Sequence, residues 1–136
     1  MTAIVVDTSA VMAVLLEEDD AHRYAAALSK ATELRMAAPT WLETAMLATA
    51  RCRGDGFREL TAFLDFIGIE VVPMDFVLAQ IAYDAWARFG KGRHPAKLNY
   101  GDCFAYALAR QRGEPLLFKG GDFTLTDIQA AIQPAP

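Results

Sequence analysis

The chain has 136 residues, 54% of them hydrophobic and 22% charged, with a net charge of −4. It is too apolar for a disordered chain, long enough to bury the core of one domain spanning 1–136, and too acidic for its whole surface to bind polyanions. No apolar run reaches the roughly 18 residues of a membrane span, and the apolar N-terminus lacks a basic leader, so a cytoplasmic protein with no membrane attachment is expected.

Ala3-Ile4-Val5-Val6 is short, apolar and β-branched, as in a buried parallel strand, and it ends at Asp7. Thr8 or Ser9 can cap the helix that follows, Ala10 to about Leu16. Glu17-Glu18-Asp19-Asp20 reads as a turn and a solvated, dipole-favoured start of a second helix, with Ala21, Tyr24, Ala25 and Leu28 at helical spacing. Leu34 to Ala38 is a weak second strand. Pro39-Thr40 opens a third helix with Leu42, Ala45, Met46 and Thr49 on one face, and Thr40 with Glu43 has the spacing of a capping box.

Gly54-Asp55-Gly56 breaks that helix. A fourth carries Leu60, Phe63, Leu64 and Ile67 in register and stops at Gly68. Ile69 to Val72 is a third strand. Asp75 caps a fifth helix whose apolar face is Leu78, Ile81, Ala82, Ala85 and Phe89. The loop from Gly90 to Leu98 is basic, with Lys91, Arg93, His94 and Lys97 following Arg88. Arg51 with Arg53, and Arg110 with Arg112, read as ordinary helix-end charges. Asn99 caps a sixth helix with Asp102 in its first turn, and Gly113 ends it. Pro115 to Phe118 is a fourth strand, followed by the turn Lys119 to Phe123. The last six residues are expected to fray.

Short strands alternating with helix pairs predict an α/β three-layer sandwich, with a mainly parallel sheet of four or five strands between helices. In that layout, strand carboxyl ends and helix N-termini share one edge of the sheet. Asp7, Glu43, Asp102 and Asp122 all have claims to it. Four bare carboxylates repel one another, and a divalent cation resolves the conflict. With no His or Cys in the set, the cation expected is Mg²⁺ or Mn²⁺, which can acidify a water and stabilise charge on a phosphodiester. Thr8 or Ser9 would orient an acid or a water. The loop carrying Lys91, Arg93 and Lys97 would hold a nucleic-acid backbone. Cys52 and Cys103 read as free thiols.

Four pieces of the sequence carry a resemblance: Ile4-Val5-Val6-Asp7-Thr8-Ser9-Ala10; Pro39-Thr40 with Glu43; Leu98-Asn99-Tyr100-Gly101-Asp102-Cys103 with Ala105-Tyr106-Ala107; and Leu116-Leu117-Phe118-Lys119-Gly120 with Asp122-Phe123, Thr126 and Asp127. In this order they resemble the PIN-domain family, and within it the VapC-type ribonuclease toxins of toxin–antitoxin modules. The resemblance implies a metal-dependent endoribonuclease with Asp7, Glu43, Asp102 and Asp122 as its catalytic, metal-binding acids and Thr126 as supporting polar residue. It also implies a homodimer and a VapB-type antitoxin contacting exposed parts of the first four helices. The family often has a polar or acidic residue where Gly121 stands, so a second metal site would be weaker here. The alternative is a catalytically idle PIN-like module that binds RNA or protein. A phosphoacceptor domain of receiver type fits less well, because Asp7 is followed by Thr8 and not by a second acid.

Overall fold

The structure is a computed structural model that describes residues 2–133. The elements run β1 (Ala3–Val6), α1 (Thr8–Leu15), α2 (Ala21–Lys30), β2 (Glu33–Ala37), α3 (Ala38–Arg51), α4 (Gly56–Ile67), β3 (Ile69–Val72), α5 (Phe76–Phe89), α6 (Tyr100–Arg112) and β4 (Leu116–Leu117), then a short 3₁₀ turn, Asp122–Leu125. The strands form one sheet in the order β3-β2-β1-β4, every pair parallel. From β1 the chain steps outward through β2 to β3, then returns to place β4 on the other side of β1. The strand order therefore reverses between β1 and β4, the point at which open α/β sheets place their sites.

Alternation along the strands makes two cores. Ile4, Val6, Leu34, Met36 and Leu117 pack against α1 to α4 through Val11, Met12, Tyr24, Leu28, Leu60 and Leu64. Val5, Ala37, Val72 and Leu116 pack against α5 and α6 through Leu78, Ala82, Phe89, Tyr106 and Leu108. Fully burying one such side chain is worth about 1.5–3 kcal/mol, so the sheet is clamped from both faces. This is the three-layer α/β sandwich expected.

Several local expectations change. The cap of α1 is Asp7 itself, accepting from the Ser9 amide, and not Thr8 or Ser9. The acidic run 17–20 is a turn ahead of α2, closed by Glu17 at φ 52°, and two of its acids are paired with Lys119 instead of solvated. Helix α3 begins at Ala38 with no side-chain cap. Thr40 is thus already inside the helix, a turn too late to cap it, and Glu43 is free of the expected capping box. The buried face of α3 is Thr40, Thr44, Ala45 and Ala48. These small residues let α3 lie close to its neighbours and turn Leu42 (54% exposed) and Met46 (64%) outward.

At the chain end, 134–136 lie outside the described residues. Before them, Ala131 donates to the Leu116 carbonyl at 2.8 Å, and Ala131 and Ile132 pack on the α1–α4 core, which replaces fraying with docking. The Asp127 carboxylate gathers the Tyr106 hydroxyl (2.6 Å), Arg110 (3.0 Å) and Arg88 (3.2 Å). Two arginines of the basic spots are thereby committed to holding α5, α6 and the C-terminal segment together. Among the described residues, no helix is long and apolar enough to cross a membrane.

Candidate active site

Asp7 follows β1 directly because that strand runs out where α1 begins. Its backbone N–H bonds the Leu117 carbonyl of β4 at 2.9 Å, and its side chain is buried. Ser9 donates to Asp7 Oδ2 twice, through Oγ at 2.6 Å and through its amide at 3.1 Å. Burial pushes the Asp7 pKa up, the Ser9 bonds oppose that, and the Glu43 charge adds to it.

Glu43 comes from the second turn of α3. Thr8 Oγ1 lies 2.8 Å from Glu43 Oε1 and 2.9 Å from the Thr44 hydroxyl, which reaches the Thr40 carbonyl at 2.7 Å. Thr8 and Thr44 are buried, so this chain fixes the carboxylate end of Glu43. Nothing local in the sequence singles out Thr44 for this role, since its partner lies 36 residues away.

Asp102 sits in the first turn of α6 within a complete capping box. Its amide bonds Asn99 Oδ1 at 2.9 Å, and its Oδ2 accepts the Asn99 amide at 3.0 Å. Its pKa is raised from 3.8 to about 7, first by burial, against the Asn99 bond, and then by the charges of Asp7, Asp122 and Glu43. Asp122 is exposed at the start of the 3₁₀ turn. The four acids come from four elements to one edge of the sheet and act on one another electrostatically.

Gly101 sets the closest approach. A Cβ built there would stand 2.3 Å from Glu43 Oε2 and 2.9 Å from its Cδ. Any side chain at 101 would displace the carboxylate. Glycine is required here by the proximity of Glu43, not by its own backbone angle.

Asp7, Glu43 and Asp102 are each fastened through one oxygen, Oδ2, Oε1 and Oδ2. Among the described residues, no three acid, His or Cys side chains are gathered closely enough to share one ion as they stand. The donor set nevertheless fits a hard divalent cation. It is all oxygen, and two of its acids are held partly toward the neutral form by burial and mutual repulsion, which a cation would relieve.

The remaining expected residues divide. Thr126 Oγ1 donates to the Phe123 carbonyl (2.7 Å) and accepts from the Ile128 amide (3.2 Å), tying its own turn and not an acid. Lys91, Arg93 and Lys97 are exposed. The loop is closed at its base by Lys91 N–H to Leu98 O and Leu98 N–H to Phe89 O. Arg93 folds back, donating to the Ala87 carbonyl at 3.1 Å with its guanidinium 5.0 Å from the centre of the Trp86 ring. His94 is a loop staple: its Nδ1 accepts the Ala96 amide and its ring meets Phe89 edge to face. Cys103 is buried, its thiol pushed up to about 11 by burial, and Cys52 is also free.

The PIN domain family matches residues 4–129. A VapC ribonuclease of Mycobacterium bovis is 44% identical over 131 residues, covering 96% of this chain and 100% of that protein. Among solved structures, Mycobacterium tuberculosis VapC20, described as a sarcin-ricin loop cleaving toxin, superposes with a TM-score of 0.77 at 20% identity, covering 96% of this chain and 99% of the other. VapBC-5 from Mycobacterium tuberculosis, a member of the VapBC family of toxin–antitoxin systems, gives 0.64 at 21% identity over 98% of each chain.

Proposed function

This chain belongs to the PIN-domain family, and from that footing we propose that it is a VapC-type endoribonuclease, the toxin of a toxin–antitoxin pair, that hydrolyses RNA phosphodiester bonds with Mg²⁺ or Mn²⁺. The observation that carries the reading is the arrival of four carboxylates from four elements at one sheet edge, in a chain 44% identical to a VapC ribonuclease. Asp7, Glu43, Asp102 and Asp122 would hold the ion, which supplies an acidified water and positive charge beside the scissile phosphate. The chain's own part is orientation. Ser9 holds Asp7, Thr8 holds Glu43, and the Asn99 amide holds Asp102.

Purified chain with a structured RNA should cleave in Mg²⁺ or Mn²⁺, stop on adding EDTA, and resume when the cation is restored. RNA bound but left intact under every divalent cation would favour the idle binding module instead.

Of the three basic loop residues, Lys91 and Lys97 make no ion pair among the described residues, while Arg93 is already engaged. Lys91 and Lys97 are the better candidates for RNA phosphates. Changing either to Ala should lower RNA affinity across sequences and reduce the slope of log K against log salt by about 0.7 for each phosphate no longer neutralised. An unchanged slope would return the loop to solvent.

A homodimer fits the surface. Leu42 and Met46 of α3, Tyr100 of α6, and Tyr83 and Trp86 of α5 are large, apolar and exposed. Two clefts of about 600 Å³ each run on either side of Tyr100 and Phe104. Met46→Glu should shift the mass in sedimentation from two chains toward one, and an unshifted mass would move the interface elsewhere. A VapB-type antitoxin is the protein partner proposed, with Phe57 and Phe66 of α4 as exposed apolar purchase. A cytoplasmic location is part of the proposal, because that is where an RNA substrate and a VapB-type antitoxin would both be met.

A further inference from the structure

Lys119 lies two residues after the end of β4 and three before Asp122. Two independent sets of bonds meet on it. Its backbone N–H donates to Ser9 Oγ at 2.9 Å, and that hydroxyl donates to Asp7 Oδ2 at 2.6 Å. With one of its lone pairs taken by the Lys119 amide, the Ser9 hydroxyl is oriented to donate its hydrogen to Asp7. The Lys119 ammonium lies 2.8 Å from Glu18 Oε1 and 2.8 Å from Asp20 Oδ1, both in the turn between α1 and α2. The three side chains are only 24–34% exposed.

The turn beyond Lys119 bonds within itself, the Gly121 carbonyl accepting from the amide and the hydroxyl of Thr124. Gly120 is at φ +101°, and neither Gly120 nor Gly121 has any atom within 4 Å of where a Cβ would stand. Beyond Asp122, the buried Phe123 packs on Phe118, ring centres 5.2 Å apart. Asp122 therefore hangs between two anchors, Lys119 on one side and Phe123 on the other.

We propose that Lys119 is a positioning residue for the candidate cation site: its amide fastens the turn after β4 to Ser9 of α1 and its ammonium fastens it to the α1–α2 turn, and together they set the places of Asp7 and Asp122. This rests on the reading of the acids as a divalent-cation site. The two partners hold the ammonium's pKa above its ordinary value, first through Asp20 and then Glu18, so the ammonium stays charged at neutral pH.

For the loss of Lys119, a simple charge effect and a tie give opposite signs. If Lys119 acted only through its field, removing it would tighten cation binding, and removing Glu18 and Asp20 would weaken it. If it is a tie, cutting either end loosens the same turn. The test is Mn²⁺ affinity by titration calorimetry on the full chain for wild type, Lys119→Met, Lys119→Arg, Glu18→Gln/Asp20→Asn, and the Lys119→Met/Glu18→Gln/Asp20→Asn combination, with melting temperature measured for each.

We expect Lys119→Met and Glu18→Gln/Asp20→Asn each to weaken Mn²⁺ binding by roughly 10-fold, their combination to weaken it no further, and Lys119→Arg to stay near wild type. Should Lys119→Met fail to fold, Lys119→Gln, which removes the same charge, is read in its place. Unchanged affinity in the folded variants, or tighter binding in Lys119→Met, overturns the tie while leaving the cation site standing. A wild-type chain that binds no Mn²⁺ overturns both.

Discussion

Asp102→Asn is expected to abolish RNA cleavage and, in the same molecule, to raise the stability of the cation-free protein at neutral pH. The activity loss should be on the order of 10³-fold, because the change removes an anionic oxygen from the site while keeping its shape. The stability gain comes from protonation. Asp102 titrates from 3.8 in an ordinary setting to about 7 in the folded chain. Between those values the folded state binds more protons than the unfolded state, so stability falls as pH rises from about 4 to 7 and the cost is complete above it. Asparagine carries no such cost. Allowing for the partial exposure of Asp102, the gain at pH 7.5 should be about 1–2 kcal/mol, or a few degrees of melting temperature. Asp7, raised by burial, acts in the same direction.

Two melting curves per protein, at pH 5 and pH 7.5, check this: wild type should lose ground relative to Asp102→Asn at the higher pH. Saturating Mn²⁺ should reverse the order. A ligand at 100 times its Kd adds about 2.7 kcal/mol to the form that binds it, and the variant should gain far less. A variant that melts lower than wild type at pH 7.5 would mean that the carboxylate stabilises the fold as it stands.

Gly101→Ala is expected to separate folding from catalysis. The atoms a new methyl would meet are the end of the Glu43 side chain, at 2.3 and 2.9 Å, and not backbone or core. A flexible side chain can move away from that contact, so the melting temperature should stay within a few degrees of wild type. The displacement falls on an acid of the candidate site and breaks its 2.8 Å bond with Thr8. A misplacement of about 1 Å in such a site can cost 10²-fold in rate. Cleavage reduced on that scale with intact melting is the expected result. Full activity would show that Glu43 has room to recover its place.

The residues legible in the sequence are those whose partners are near in sequence. The α6 cap is visible there because Asn99 and Asp102 satisfy each other over three residues, and the Asp75 cap has the same reach. The stripe of α4 and the apolar run of β1 are visible because periodicity is local. The α3 start is visible to within a residue through Pro39 in its first turn, but the role of Glu43 is not. Thr40 and Glu43 have capping-box spacing, yet Glu43 is bonded to Thr8, 35 residues earlier, and the helix opens before either. The acids of 17–20 read as solvated because their cation, Lys119, lies about a hundred residues later in the sequence. Gly101 reads only as part of a motif, and the approach of Glu43 is what gives it a physical reason.

The two rims of the sheet are guarded differently. A strand at an edge offers unpaired amides and carbonyls to any other strand, and proteins blunt such edges with short length, charge, proline or cover. β3 is four residues long, carries Glu70 and is closed by Pro73. β4 is only two residues long and is covered: Leu116 donates to Gln129 O at 2.9 Å and accepts from Ala131 at 2.8 Å. The segment after Asp127 thus protects the chain from sheet-to-sheet aggregation while contributing no acid to the site. A chain ending at Asp127 would retain all four carboxylates and uncover the rim beside β4, so its failure would be insolubility, in a molecule whose chemistry was otherwise complete.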